Sequence, residues 1–114
     1  MPTLFNQKII DEIMTAYTQS LNDELGENLK AVILFGSCAR GDHKTDSDID
    51  VFVLVEDDRQ DIKKSLDRIA NKYSWDYDTI ICDITRTTDH YKKHYWETLF
   101  QNIRAEGRSY YGMA

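Results

Sequence analysis

The sequence of 114 residues has little of what marks several protein classes. One proline and five glycines exclude a collagen-like repeat or a low-complexity chain, and the 41% hydrophobic content is ordinary for a folded protein. Two cysteines, Cys38 and Cys82, lack CxxC spacing, which argues against a disulfide framework or a cysteine zinc site. No apolar run approaches the roughly 20 residues that cross a bilayer, and no signal-peptide layout is present. We therefore expect one globular domain, residues 1–114, in the cytoplasm and away from membranes.

Positive charge is also scarce. A formal net charge of −6 argues against a broad basic surface that would bind long DNA or RNA through its phosphates. An acidic protein can still bind a single nucleotide if metal ions or backbone N–H groups supply positive charge where the phosphates lie. The composition therefore excludes long nucleic acid as the expected partner and leaves a nucleotide open.

The spacing of apolar residues predicts an α/β domain. Three segments repeat apolar residues at helical spacing, and three shorter runs have the branched or alternating character of strands. The order helix, strand, strand, helix, strand, helix predicts a small mixed β-sheet with helices packed on one side. Residues 37–47 are polar and predict a loop or short helix, and the residues after Gly107 predict a frayed tail. The predicted helices cover residues 5–25, 57–73 and 88–106, and the predicted strands cover residues 31–35, 48–55 and 77–85.

We expect four residues of this framework to carry chemistry. Gly36 and Ser37 follow the first predicted strand, where a glycine lets the backbone approach a phosphate and a serine adds a hydroxyl and an N–H. Asp48 and Asp50 open the second strand, and because one residue separates them their carboxylates point to the same face. Adjacent carboxylates repel each other, whereas a hard cation such as Mg²⁺ binds both. The pattern predicts a site for a nucleoside triphosphate and two divalent ions.

Between Gly36 and Asp50 the chain reads Gly-Ser-Cys-Ala-Arg-Gly and then Ser-Asp-Ile-Asp. This spacing resembles the signature of the nucleotidyltransferase superfamily related to DNA polymerase β, and most of all its minimal nucleotidyltransferases. The resemblance implies the nucleotidyltransferase fold, ATP as substrate, two Mg²⁺ ions and pyrophosphate as the leaving group.

The resemblance further implies a third acidic residue on the next sheet strand, as a metal ligand and as a base toward the acceptor hydroxyl. Asp78 is our choice, because alternation along the predicted strand puts it on the face of Ile80 and Cys82. Asp83 falls on the opposite face and is the first alternative. Asp76 is the second.

The loop after Ser37 offers supporting residues. Arg40 is expected either to neutralise phosphate charge or to pair with Asp46, Asp48 or another carboxylate. Ser47 is expected to fix Asp48 through its N–H or hydroxyl. Neither Ser47 nor Gly41, which the backbone of the same loop requires, is expected to do chemistry.

The resemblance also suggests a partner. Minimal nucleotidyltransferases of this kind often work beside a small helical HEPN-type protein in prokaryotic toxin–antitoxin pairs, where the transferase adds AMP to a tyrosine of the toxin. We therefore expect transfer of AMP from ATP to a hydroxyl on such a partner. The alternatives are an antitoxin that acts by contact alone with a relic nucleotide site, and a small-molecule nucleotidyltransferase of the aminoglycoside type.

Two further groups of residues have plainer interpretations. His90 and His94 lie four apart and could share a metal, but we see no third ligand nearby and expect two partly exposed histidines. The aromatic residues of the last predicted helix are expected to pack in the core rather than stack on a base, and they include Tyr91, Tyr95, Trp96 and Phe100.

Overall fold

The computed structural model describes residues 6–43 and 48–112. Five α-helices, a short 3₁₀ turn and four strands make up this part of the chain. The helices are α1 (Gln7–Leu25), α2 (Ser37–Arg40), α3 (Gln60–Asp76), α4 (Thr88–Lys93) and α5 (Thr98–Glu106). The strands are β1 (Leu29–Phe35), β2 (Ile49–Val55), β3 (Ile81–Thr87) and β4 (Arg108–Gly112). No helix within the described ranges is long and apolar enough to cross a membrane.

The four strands form one mixed sheet in the order β3-β2-β1-β4. β1 runs antiparallel to both β2 and β4, and β2 runs parallel to β3. Asp50 therefore lies between Phe35, its register partner on β1, and Cys82, its register partner on β3. The C-terminal end of β1 and the N-terminal ends of β2 and β3 lie together at one end of the strands.

Both faces of the sheet are covered by helices. One face, with Val51 and Val53 of β2, packs against the apolar sides of α1 and α3. The opposite face carries Phe52, whose ring centroid lies 6.0 Å from that of Tyr91 and 5.7 Å from that of Phe100. The predicted alternation of β2 and the mixed α/β sheet are confirmed. The helices are not confined to one side, however, because the face that carries the acidic pair also carries large apolar residues that α4 and α5 bury.

The predicted tail after Gly107 is a strand. β4 pairs with the free edge of β1, with Val32 opposite Tyr111. Tyr110 is partly buried against the α1 side of the sheet, and its hydroxyl donates a hydrogen bond to Asp11 at 2.9 Å. The five residues of β4 do not alternate regularly, so the sequence shows no sign of a strand. Its partner β1 lies about 80 residues earlier in sequence, and only the tertiary structure reveals the pairing.

Two other boundaries differ from prediction. α3 extends to Asp76, and β3 begins at Ile81 instead of residue 77. The last predicted helix is two helices, because the chain turns between Lys93 and Thr98. Both differences arise where the spacing of apolar residues continues through a turn. They change the predicted element of candidate site residues, since Asp78 now lies before β3.

Candidate functional site

The turn from β1 into α2 places backbone directly against an acidic side chain. Gly36 has a φ of +73°, a conformation that glycine adopts without a steric penalty. A Cβ atom built on Gly36 would lie 2.5 Å from Oδ2 of Asp50. The Asp50 carboxylate therefore lies against the Gly36 backbone, in space that only glycine leaves open. The predicted pairing of the glycine turn with the acidic strand is thus present in the structure.

Asp48 and Asp50 lie side by side at the beginning of β2. Asp48 is exposed, and Asp50 is partly buried. Burial raises the pKa of Asp50, Asp48 raises it further, and Arg40 opposes the rise. The folded protein therefore holds a carboxylate whose negative charge is poorly compensated, as expected of oxygen ligands for a hard divalent cation.

A thiol, and not a carboxylate, faces this pair from β3. Cys82 is the register partner of Asp50, and its Sγ donates a hydrogen bond to Oδ2 of Asp48 at 3.6 Å. Burial raises the pKa of Cys82, and Asp48 adds to the rise, so the thiol stays protonated. Asp83 pairs with Val51 and thus lies on the other face, as predicted, where burial raises its pKa.

The other two candidates for the third acid lie before β3. Asp78 is exposed in the turn between α3 and β3, so the premise that it stands on the strand is wrong. Its φ of +50° is the one positive value among the non-glycine residues of the described ranges. The turn stays close to the edge of the sheet, because Ile49 N–H donates to the Ile80 carbonyl at 2.8 Å. Asp76, the last residue of α3, is paired with Lys72 at 2.9 Å.

Arg40 pairs with two carboxylates, as one of its two predicted roles requires, although neither residue was named in advance. Its guanidinium contacts Asp42 at 3.2 Å and Glu106 at 3.1 Å. Glu106 also accepts the Gly36 N–H at 3.3 Å. Glu106 thus bridges the glycine turn and the arginine from the end of α5, where a sequence separation of about 70 residues gave no signal. Asp46 and Ser47 lie outside the described residues.

Cys38 connects α2 to the residues that begin β2. Its side chain is fully buried, and its Sγ donates to the Asp48 carbonyl at 3.5 Å. Burial raises the pKa of Cys38 to about 11, with Asp50 adding to the rise. A neutral thiol at this position fixes the beginning of β2 relative to Ser37, which begins α2. The site therefore joins a glycine turn, a short helix N-terminus and two carboxylates, the components of a metal-assisted nucleotide site.

Comparisons with known proteins agree with this geometry. Residues 18–103 match the family described as nucleotidyltransferase domain. A relative from Methanocaldococcus jannaschii, named a protein adenylyltransferase, is 40% identical over 76 residues, which cover 66% of this chain and 77% of the relative.

Solved structures share the fold. A chain from a toxin–antitoxin crystal structure with AMP-PNP superposes with a TM-score of 0.63 at 22% identity, covering 87% of this chain and 73% of that one. A chain from the complex of tri-AMPylated HEPN toxin with MNT antitoxin of Shewanella oneidensis superposes with a TM-score of 0.55 at 19% identity, covering 90% and 72%. Because the family matches residues 18–103 of this chain and Asp50 lies against the glycine turn, this chain belongs to the nucleotidyltransferase domain family and is a nucleotidyltransferase.

Proposed function

We propose that the protein transfers AMP from ATP to a hydroxyl group of a partner protein, with Mg²⁺, and that the partner is a small helical HEPN-type toxin that this chain silences as an antitoxin. The observation that carries the proposal is the Asp50 carboxylate, the neighbour of Asp48, lying against the Gly36 backbone. Support for a protein acceptor comes from the relative named a protein adenylyltransferase and from the fold shared with a complex that contains an AMPylated toxin. We place the reaction in the cytoplasm, where ATP is available and thiols such as Cys38 and Cys82 stay reduced.

The residues divide the work as follows. Gly36 and Ser37 would hold the terminal phosphates through backbone N–H groups and the serine hydroxyl, and Arg40 would neutralise part of their charge. Asp48 and Asp50 would bind two Mg²⁺ ions, which when bound neutralise the triphosphate and the leaving pyrophosphate. The acceptor oxygen attacks the α-phosphorus in line with the bond to the bridging oxygen. That bond breaks as the new oxygen–phosphorus bond forms, and pyrophosphate leaves.

A carboxylate must also take the proton of the acceptor hydroxyl, and we assign this role to Asp78. The positive φ of Asp78 supports the choice, since strained backbone of this kind is concentrated at functional sites. We expect Asp78→Asn to lower kcat by about 100-fold or more while leaving the Kd for ATP nearly unchanged. Asparagine tolerates the left-handed conformation, so the turn should keep its shape.

Asp76→Asn is made alongside this variant and tests the second alternative, because it removes an exposed partner of Lys72 two residues earlier. Single-turnover kinetics and ATP titration of both variants separate the chemical step from binding. Unchanged turnover in Asp78→Asn would reject Asp78, and a fall in turnover in Asp76→Asn would assign the role to Asp76 instead.

Glu106 occupies the donors that a phosphate needs. Its carboxylate accepts from Gly36 N–H and Arg40, so it competes with a triphosphate for both and repels its charge. We expect Glu106→Gln to tighten ATP binding by up to about fivefold, the range of a partly exposed ion pair. Asp42→Asn is the matched control, because Asp42 pairs with Arg40 from an exposed position. Weaker ATP binding in Glu106→Gln would show instead that Glu106 positions Arg40.

The experiment that tests the proposal uses the purified protein, ATP, Mg²⁺ and the product of the adjacent gene. Intact-mass analysis of both proteins should show addition of AMP to the partner, and peptide mapping should place it on a hydroxyl side chain. Omitting Mg²⁺ should abolish the addition. Bound ATP without any mass addition would shift the assignment to a small hydroxyl-bearing acceptor, as in aminoglycoside nucleotidyltransferases.

A second candidate function is contact-only neutralisation of the partner. One observation favours it: the β3 residue opposite Asp50 is Cys82, a position where a metal ligand would need to be acidic. In that case the partner binds stably, its toxic activity is silenced, and its mass does not change when ATP and Mg²⁺ are added.

A further inference from the structure

Three potential metal ligands converge at the corner between α4 and α5. Ligand atoms of His90, His94 and Glu97 all lie within 4.8 Å of one another. The two imidazole rings are stacked with centroids 4.2 Å apart, and Nδ1 of His94 lies 3.6 Å from Oε1 of Glu97. In a tetrahedral zinc site the ligand atoms lie about 3.4 Å apart, so small side-chain rotations would complete the set. The third ligand absent from the sequence-based interpretation is supplied by the turn that divides the last predicted helix.

The backbone of this corner holds the three residues in place. His94 N–H donates to the His90 carbonyl at 3.0 Å, and Glu97 N–H donates to the His94 carbonyl at 2.9 Å. Thr87 caps α4 by accepting from His90 N–H. Consecutive hydrogen bonds thus connect all three ligands, and the short segment that bears them needs little reorganisation to bind an ion.

Aromatic rings lie beside the two histidines and line a cavity next to the cluster. The ring of His90 meets that of Phe100 edge-on at 6.1 Å, and the ring of Trp96 lies 6.4 Å from that of His94. The cavity has a volume of about 490 Å³, and His90 and Glu97 line it together with Arg86. An ion bound by the three side chains would keep a coordination position open to water or to a small ligand in this space.

The cluster is separate from the nucleotide site. In the register of β2 and β3, Asp50 lies opposite Cys82. Arg86, which lines the cavity, lies opposite Leu54, four residues further along both strands. Four residues of strand correspond to roughly 13 Å. The donor chemistry also differs, because imidazole nitrogens select zinc-like transition metals, whereas Mg²⁺ prefers oxygen ligands.

We propose that His90, His94 and Glu97 bind one divalent transition-metal ion of the zinc type, at a site distinct from the one that binds the nucleotide. The ion links α4 to the residue that precedes α5, and so fixes the two helices that cover Phe52. Because it binds only the folded chain, it stabilises that chain. The proposal does not depend on AMP transfer, since its readout is metal binding by the protein alone.

The test is calorimetric titration of the full chain with ZnCl₂, with chelator competition for the affinity and Co²⁺ absorption for the ligand type. We expect one equivalent to bind, and Tm to rise by roughly 5 to 10 °C when Zn²⁺ exceeds Kd about a hundredfold. His94→Gln should weaken binding by about 100-fold or more, and Glu97→Gln by about 10-fold or more. Both side chains are partly exposed, so the metal-free variants should keep the Tm of the metal-free wild type.

Two controls make the result specific. Asp89→Asn removes an exposed carboxylate of α4 that pairs with Lys93 outside the cluster, and it should leave Zn²⁺ affinity unchanged. Asp48→Asn with Asp50→Asn should also keep the equivalent of Zn²⁺. Absence of stoichiometric binding, equal binding by His94→Gln, or loss of binding in the Asp48 and Asp50 variant would each overturn the proposal.

Discussion

Replacing both Asp48 and Asp50 by asparagine should abolish transfer of AMP, with a loss of roughly 1000-fold or more in kcat/KM. Asparagine keeps the size of each side chain but removes both negative charges, so neither amide can replace a carboxylate as ligand of a divalent ion. The loss falls on nucleotide binding as well as on chemistry, because the ions would connect the protein to the triphosphate. Isothermal titration with ATP and Mg²⁺ and the intact-mass assay on the partner measure the two effects separately.

The same variant should be more stable than the wild-type protein without metal. Folding raises the pKa of Asp50, chiefly through burial, so the ionised carboxylate destabilises the folded state at neutral pH. We expect the variant to gain about 1–4 °C in Tm at pH 7, as for a partly exposed charge interaction. The gain should disappear as the pH falls below the ordinary carboxyl range near 3.9, since Asp50 is then protonated in both states.

The control for this pair is Asp61→Asn with Asp89→Asn. Both side chains are exposed and lie in surface ion pairs, so this variant changes the net charge equally without touching the site. Mg²⁺ with ATP should raise the Tm of the wild type and of the control, and leave that of the Asp48 and Asp50 variant unchanged. Full transfer activity in the latter would exclude the assignment of these two residues.

Local pattern was enough to predict the acidic pair. Alternation along β2 fixes which residues share a face, and Phe52 is indeed buried opposite Val51. A two-residue period is a property of strand geometry itself and does not depend on the rest of the fold. The closeness of Gly36 to Asp50 also required the pairing of β1 with β2, which the sequence pattern left open.

The features that were missed depend on distant parts of the chain or on turns within apolar runs. Glu106 reaches Gly36 only because the fold brings the end of α5 against the end of β1. A single glutamate before a glycine gives no local sign of that role. The beginning of β3 was displaced because residues 77–80 alternate like a strand although the chain is still turning. The sequence pattern did not place Glu97 near the two histidines, because it predicted one continuous helix, whereas α4 ends at Lys93. In each case tertiary packing decided between local patterns of similar strength.

Placing a single methyl group on Gly36 should impair both stability and catalysis. Gly36→Ala forces alanine into a positive φ and drives its Cβ against the Asp50 carboxylate. We expect a loss of about 1–3 kcal/mol from the backbone alone, a further loss from the collision, and a fall of roughly 100-fold in kcat/KM because Asp50 is displaced. Urea denaturation and transfer kinetics measure the two quantities.

Gly26 provides the matched control for that variant, because it also has a positive φ, of +54°, and a Cβ built on it meets nothing within 4 Å. Gly26→Ala should therefore show only the backbone cost of about 1–3 kcal/mol and keep full activity. In an Asp50→Ala background the extra cost of Gly36→Ala should shrink, since the colliding carboxylate is gone. Equal costs for the two alanine variants, with transfer intact in both, would mean that the Gly36 turn can move away from Asp50 without consequence. The difference between the two glycines thus measures how tightly the backbone and the carboxylate must approach for the site to work.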